Sequence, residues 1–215
     1  MGILFSQFLL QIVFLTIIFL HLARKNISAV AAYAVQSLAI VLLLFHSFLQ
    51  TQAVSLLYVV ILVAVVKLVL APVFFIRLIK KNELTFSVST YLNTPLTLIM
   101  LTVFTIAAYS YKFTALTASL PGNSSLLSLS LAVMFLSLCL IINRKSALSQ
   151  IIGILSLENS IVAFALFAGL EQSLGLQAGI LFDISIWIFI ATVFTNMVYV
   201  HFGSLDVSFM KKLKD

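Results

Sequence analysis

Charged residues are scarce in this chain of 215 residues. Only 8% of the residues are Asp, Glu, Lys or Arg, whereas 63% are hydrophobic and the mean hydropathy is +1.24. An ordinary soluble domain carries roughly 25% charged residues, and a soluble fold could not keep this much apolar surface away from water. The composition therefore excludes a soluble domain and predicts that lipid is the main solvent of the chain.

Cysteine and the common cofactor-binding motifs are equally rare. The one cysteine, Cys139, cannot form an intrachain disulfide, an iron–sulfur cluster or a thiolate zinc site. The sequence has no histidine pair spaced for a metal and no glycine-rich nucleotide motif. Its basic residues are scattered rather than gathered on one face, which argues against a nucleic-acid partner. We expect a non-catalytic chain with no catalytic residue, metal or other cofactor of its own.

Long apolar runs dominate the sequence instead. Charged or Gly/Pro/Asn/Ser-rich breaks separate seven runs of 19 to 26 residues, each long enough to cross roughly 30 Å of hydrocarbon. The predicted helices cover about residues 2–22, 27–49, 54–79, 92–114, 124–142, 147–169 and 176–201. The runs are continuously apolar rather than alternating, which favours helices over a β-barrel. The predicted fold is all-α: one polytopic membrane domain, 1–215, with about seven transmembrane helices.

The basic residues between these runs predict the orientation. Ten of them fall on alternate loops: Arg24, Lys25, Arg77, Lys80, Lys81, Arg144, Lys145, Lys211, Lys212 and Lys214. On the other side there is only Lys112. Because cytoplasmic loops are enriched in Lys and Arg, the N-terminus is predicted outside and the tail 203–215 in the cytoplasm. This tail could contact partner subunits or anionic lipid of the bilayer.

Three charged residues lie inside predicted helices and are the main candidates for function. Lys67 is near the middle of the third helix, Glu158 is at the middle of the sixth, and Asp183 is about two turns into the seventh. A charge at a helix centre costs about 2.5–3.5 kcal/mol on insertion scales, so such residues normally face protein or internal water. We predict that these three side chains belong to a proton or cation path.

Uncharged residues near these charges are predicted to support the path. Asn159 and Gln36 could orient connecting water, and Pro72 is expected to break the helical ladder and free a carbonyl. Two alternatives stay open. Lys67 and Glu158 could simply be a buried ion pair that holds two helices together, and Asp183 could reach lipid headgroups or cap a break near Gly179.

Several separated pieces of the sequence resemble the E-type membrane subunit of hydrogenase-4, of the formate hydrogenlyase group. The resemblance covers nearly the full length. It rests on Tyr33-Ala-Val-Gln36-Ser37-Leu38, on Lys67 followed by Pro72, on Gln150-Ile-Ile-Gly153 leading to Glu158-Asn159, on Asp183, and on Gly203-Ser-Leu-Asp206-Val207. It implies a subunit that carries no cofactor in the bacterial inner membrane.

The last three predicted helices, 124–202, are also similar to the K-type subunit of respiratory complex I. The likeness rests on Arg144-Lys145, Ile152-Gly153, Asn159 and Phe164. In that subunit, carboxylates on the second and third helices belong to a lateral proton path, which implies such a role for Glu158 and Asp183. The chain departs from the pattern at Leu155, which occupies the usual glutamate position, so Glu158 comes one turn later on the same face. The four helices in 1–115 have no K-type counterpart.

The resemblance implies partners. They would be antiporter-like membrane subunits and a peripheral arm that carries out the redox chemistry, which the membrane arm couples to movement of protons or sodium. Two other readings remain: a self-contained ion transporter or channel, and a structural membrane scaffold.

Overall fold

A computed structural model describes residues 2–81, 90–120 and 123–169, and the single residues 185, 189 and 193. Its helices are α1 (Gly2–Leu22), α2 (Asn26–Thr51), α3 (Val54–Val63), α4 (Ala71–Lys81), α5 (Thr94–Ala108), α6 (Tyr111–Ala118), α7 (Ser124–Asn143) and α8 (Ala147–Phe167). A π-helical segment, Ala64–Leu70, joins α3 to α4. The described ranges contain no β-strand, only an isolated bridge between Thr90 and Arg144. The predicted all-α class is confirmed for this part of the chain.

Five helical segments are long and apolar enough to cross a membrane: Gly2–Leu22, Asn26–Thr51, Leu56–Lys81, Ser124–Asn143 and Ala147–Phe167. They match five of the predicted helices to within a few residues at each end. The pair α5 and α6 adds a sixth if it is counted as one bent span. This is the architecture of a multi-pass membrane protein. The predicted seventh helix, 176–201, and the tail, 203–215, lie outside the described residues.

The fourth predicted helix, 92–114, differs from the structure. It is divided into α5 and α6, which are bent by 47° at the break between them. At the break Ser110 adopts an extended backbone, and its carbonyl accepts from the amide of Thr114, which starts the new helix. Hydropathy does not predict this break, because it reports composition over a window, whereas the break lies in the backbone of two residues.

Most of the helices share one large hydrophobic cluster, and a smaller one lies around Ala108, Leu131 and Ala132. Helices α7 and α8 are in close contact at Gly153. A Cβ added to Gly153 would lie 2.8 Å from Cγ1 and 3.3 Å from the backbone nitrogen of Ile141. Since real Cβ atoms do not approach this closely, only glycine allows the two helices to meet here. The contact fixes the position of α8, which carries Glu158 and Asn159.

Two of the basic loops meet at one end of the molecule, beside the segment that precedes α5. Arg144, which follows α7, donates to carbonyls of Leu20 and His21 at the end of α1 and of Ala23 just after it. The amide of Tyr91, which precedes α5, donates to the carbonyl of Asn143. We call this the basic end. Because α2 and α8 both begin here, immediately after the loops at 23–25 and 144–146, the two helices run parallel through the interior.

Candidate functional site: a buried charged cluster at mid-span

The ammonium group of Lys67 lies in the interior near the middle of the third span. Its Nζ donates to Oδ1 of Asn159 at 2.9 Å and lies 3.6 Å from Oε1 of Glu158. The Asn159 amide nitrogen donates in turn to Oγ of Ser37 on α2 at 3.2 Å. We call these four residues, Lys67, Glu158, Asn159 and Ser37, the charged cluster. The cluster joins the π-helical segment, α8 and α2. Lys67 and Asn159 are 92 residues apart in the sequence, and Asn159 and Ser37 are 122 residues apart.

The two charges of the cluster differ in their surroundings. The Lys67 side chain is only 1% exposed, whereas the Glu158 side chain is 18% exposed. The cation is therefore enclosed by protein and uses its short hydrogen bond to the neutral amide of Asn159. The carboxylate lies at the edge of the interior, at a distance that gives attraction without a direct hydrogen bond. Glu158 is thus the more accessible member of the pair, and Lys67 is the enclosed one.

The π-helical segment places Lys67 and follows from Pro72. In an α-helix Ala71 would donate to Lys67, but here its amide donates to the carbonyl of Val66, five residues back. In this register the donor to the Lys67 carbonyl would be residue 72, and proline has no N–H. Pro72 was expected to break the ladder and free a carbonyl. The ladder widens before Pro72 within one continuous span, Leu56–Lys81, and the carbonyl of Lys67 has no donor from Ala71 or Pro72.

Two polar side chains of α2 lie enclosed beside the cluster. Gln36 and Tyr33 are both fully buried. The Tyr33 hydroxyl interacts with the Ser37 side chain one turn later, whereas the Gln36 amide has no hydrogen-bond partner among the described residues. An unsatisfied buried polar group costs about 1–3 kcal/mol. The Gln36 amide therefore marks a place where the interior needs water or another polar partner.

The structure brings three of the predicted residues into contact. Lys67 and Glu158 were predicted to belong to the path and Asn159 to support it, and that role stays a prediction. Gln36 is next to Ser37 in sequence but makes no hydrogen bond to the cluster. Leu155, at the K-type glutamate position, is buried in the hydrophobic interior. Asp183 lies outside the described residues.

Other polar residues were missed by sequence reasoning. Tyr33 was noted only as part of the resemblance, although it lies one helical turn from Ser37 on the same face. Ser137 of α7 donates to Ser156 of α8 at 3.4 Å, and no pattern in the sequence pairs these two serines. Within the described ranges no group of three His, Cys, Asp or Glu side chains could hold a metal ion.

A second buried polar group lies at the basic end and has a structural role. Arg144 caps α1: besides Leu20, it donates to the carbonyls of His21 and Ala23, each at 2.9 Å. Burial lowers the pKa of the Arg144 guanidinium from its usual range, but arginine stays protonated in proteins. The cation therefore satisfies carbonyls that the helix end leaves without donors and complements the helix dipole. It was counted as a loop charge from the sequence, and only the fold shows its partners.

The fold and the charged cluster together define a class of protein: a helical, multi-pass membrane protein with an ion pair enclosed at mid-span. When the chain is compared with known proteins, no family model, no curated protein and no solved structure matches it.

Proposed function

We propose that this chain is a non-catalytic membrane subunit of a hydrogenase-4-like or formate hydrogenlyase-like complex, and that Glu158 and Lys67 belong to its proton or sodium path. The observation that carries the ion path is the enclosed ammonium of Lys67, 3.6 Å from the partly accessible carboxylate of Glu158. Charges at this depth are costly and usually serve transport. The redox chemistry takes place on partner subunits.

The kind of complex is supported by the sequence resemblance described above. Antiporter-like subunits and a peripheral redox arm are the partners, and the bacterial inner membrane is the location. Asp183 on the predicted last helix supplies the next carboxylate of the path. Asn159 holds Lys67 in place, so that loss or gain of a proton at Glu158 changes the charge of the cluster without moving the lysine.

A structural scaffold is the second candidate, and a specific observation favours it. The contact between Lys67 and Glu158 joins two spans, as an ion pair that only holds helices together would do. The two functions differ in one respect. A scaffold needs the attraction between the charges, whereas a path needs a carboxyl group that can be protonated and deprotonated at this site.

The first experiment is replacement of Glu158 in the assembled complex. Glu158→Gln keeps the shape but removes the titratable group, and Glu158→Asp keeps the group on a shorter stem. We expect Glu158→Gln to abolish redox-coupled ion transport in membrane vesicles while the amount of assembled complex stays normal, and Glu158→Asp to retain part of the transport. Normal coupled transport in Glu158→Gln would leave the scaffold as the better description.

The partners are tested by purifying the tagged chain from its own membranes in a mild detergent and identifying co-purifying proteins by mass spectrometry. Recovery of antiporter-like subunits with an iron–sulfur or nickel–iron arm is expected. A folded, monodisperse chain recovered alone would contradict the subunit proposal, and the self-contained transporter would then be the better hypothesis.

A further inference from the structure

A groove of about 610 Å³ lies between α5 and α7. Helix α5 contributes Met100 and Phe104, which are one turn apart, and α7 contributes Cys139 and Ile142. The groove begins at the basic end, where α7 ends at Asn143 and the segment before α5 bonds to it. From the start of α5 to Phe104 the helix rises by about 15 Å. The groove therefore extends through about half of the hydrocarbon core, which is the depth of one lipid leaflet.

The polar atoms of Asn143 hold the mouth of this groove together. Its Oδ1 accepts from the amide of Leu92 at 2.8 Å, and its Nδ2 donates to Oγ1 of Thr97 at 3.2 Å. Its backbone carbonyl accepts from the amide of Tyr91 at 2.9 Å. With these atoms occupied, the described lining that remains is apolar apart from the Tyr91 hydroxyl and the Cys139 thiol. A hydrocarbon chain therefore suits the groove better than a polar ligand does.

A cation lies at the mouth of the groove without a carboxylate beside it. The Nζ of Lys145 is 5.0 Å from the centre of the Tyr91 ring, and Tyr91 is 52% exposed. Among the residues that the structure describes, Glu158 at mid-span is the one acidic residue, so none neutralises Lys145 at this end. An ammonium binds phosphate as a point charge, and tyrosine is enriched at the boundary between hydrocarbon and headgroups. The mouth therefore offers positive charge at headgroup level.

We propose that the groove binds an anionic phospholipid from the leaflet at the basic end. One acyl chain lies between α5 and α7, and the phosphate group meets the ammonium of Lys145 and the hydroxyl of Tyr91. The charge of the site selects the occupant. A basic site at headgroup level attracts anionic lipid, whereas the choline group of a zwitterionic lipid brings a second cation to Lys145.

The bound acyl chain adds packing to α5. Among the residues of this helix only Thr97, Leu101 and Ala108 are buried. A chain in the groove also covers Met100 and Phe104, and so ties α5 to α7 through further van der Waals contacts. The site goes beyond the proposed function, because lipid binding does not involve the charged cluster. Its test therefore needs no ion transport.

The test measures lipid bound to the purified full-length chain by native mass spectrometry in detergent. Phosphatidylglycerol and phosphatidylcholine with the same acyl chains are added in equal amounts. We expect the first bound lipid to be phosphatidylglycerol in about fivefold excess, the gain for one cation near an anionic headgroup. Lys145→Gln should remove this excess. Lys25→Gln, which should keep it, is the matched control, because Lys25 is exposed at the same end but does not line the groove.

A second pair of variants tests whether the acyl chain occupies the groove. Met100→Trp fills the groove, whereas Ile99→Trp places the same side chain on the preceding residue, which is 59% exposed and does not line it. We expect Met100→Trp to abolish the excess of phosphatidylglycerol and Ile99→Trp to retain it. Folding is checked by size-exclusion profiles in detergent. If Met100→Trp fails to fold, Ile142→Trp takes its place, since Ile142 lines the groove and is 74% exposed.

Four results would overturn the proposal. Equal binding of the two lipids by the unaltered protein would make the groove an ordinary part of the lipid-facing surface. The same loss in Lys25→Gln as in Lys145→Gln would assign the attraction to the whole basic end. An excess that survives in folded Met100→Trp or Ile142→Trp would place the lipid elsewhere. Loss of co-purifying proteins in Met100→Trp, with no lipid preference in the unaltered protein, would assign the groove to a helix of a partner subunit.

Discussion

Among single residues, Lys67 shows how a membrane protein stabilises a buried cation. Its ammonium has a neutral acceptor at 2.9 Å and a carboxylate at 3.6 Å. The carboxylate balances the charge, while the amide supplies the short hydrogen bond. Removing one partner of a buried pair leaves the other charge uncompensated, which typically costs more than removing both.

This asymmetry predicts the outcome of a double-mutant cycle on the pair. Lys67→Met and Glu158→Gln should each lower the thermal stability of the purified protein in detergent. The double variant should be less destabilised than the sum of the two, with a coupling in the range of about 0.5–3 kcal/mol measured for residues in contact. Lys112→Gln, far from the pair, serves as the control with no effect. Additive losses would mean that the two charges do not stabilise each other.

Replacing Lys67 should impair coupled ion transport more than it impairs insertion of the chain into the membrane. Lys67→Ala removes a charge from the middle of a span, so entry into the membrane becomes easier rather than harder. We expect normal amounts of the variant in the membrane but impaired coupled ion transport. Absence of the variant from membranes in which the partner subunits are still assembled would contradict this expectation.

Individual helical elements decide how these residues are presented. The π-helical segment Ala64–Leu70 carries Lys67 at its centre, and Pro72 follows it. The hydrophobic run predicted a span here, and the proline predicted a disturbance. The form of the disturbance depends on which carbonyls the remaining amides reach, and that cannot be read from hydropathy.

Replacing this proline should separate stability from function. Proline in a helix interior costs about 3 kcal/mol relative to alanine, so Pro72→Ala should keep or raise the melting temperature. The restored N–H can donate to Leu68 in the α-helical register, which then competes with the π-helical register that holds Lys67 near Asn159, so coupled transport should fall. Pro95→Ala is the matched control, because Pro95 lies in the first turn of α5, where proline is tolerated. Unchanged transport in Pro72→Ala would show that the wide segment is not needed.

The end of α1 depends on a side chain from another helix. Arg144→Gln should destabilise the protein by about 1.5–3 kcal/mol, the range for hydrogen bonds to charged groups. The neighbouring Lys145, whose Nζ lies 5.0 Å from the centre of the Tyr91 ring, is the control. Lys145→Gln should cost no more than about 0.5–1 kcal/mol, as for an exposed cation–π contact. Equal losses in thermal unfolding would argue against the cap.

In the whole molecule, the basic loops at 23–25 and 144–146 gather at one end. Arg24 and Lys25 follow α1, and Arg144 and Lys145 follow α7, and the hydrogen bonds of Arg144 hold these two loops together. The charge pattern of the sequence predicts that this end faces the cytoplasm. The fold groups the loops, and the charges indicate which side of the membrane they face.

The orientation can be measured with exposed single cysteines in the Cys139→Ser background. Lys25→Cys lies at the basic end, and Ser119→Cys lies near the other end, just after α6. We expect a membrane-impermeant maleimide to label Lys25→Cys only in inside-out vesicles and Ser119→Cys only in intact cells. The reverse pattern would place the N-terminus in the cytoplasm.

The sequence by itself determined that lipid is the main solvent of the chain, where its apolar helices lie, and which charged residues fall inside them. Hydropathy summed over about 20 residues is a local property, so five spans and the depth of Lys67 and Glu158 could be predicted from it. Only the tertiary structure decided that Asn159 bridges Lys67 to Ser37, that Arg144 caps α1, and that Ser137 of α7 pairs with Ser156 of α8. These are contacts between residues far apart in sequence, and they depend on helix rotation and register. Apolar composition constrains neither the rotation nor the register of a helix, because lipid and a protein interior accept the same apolar side chains.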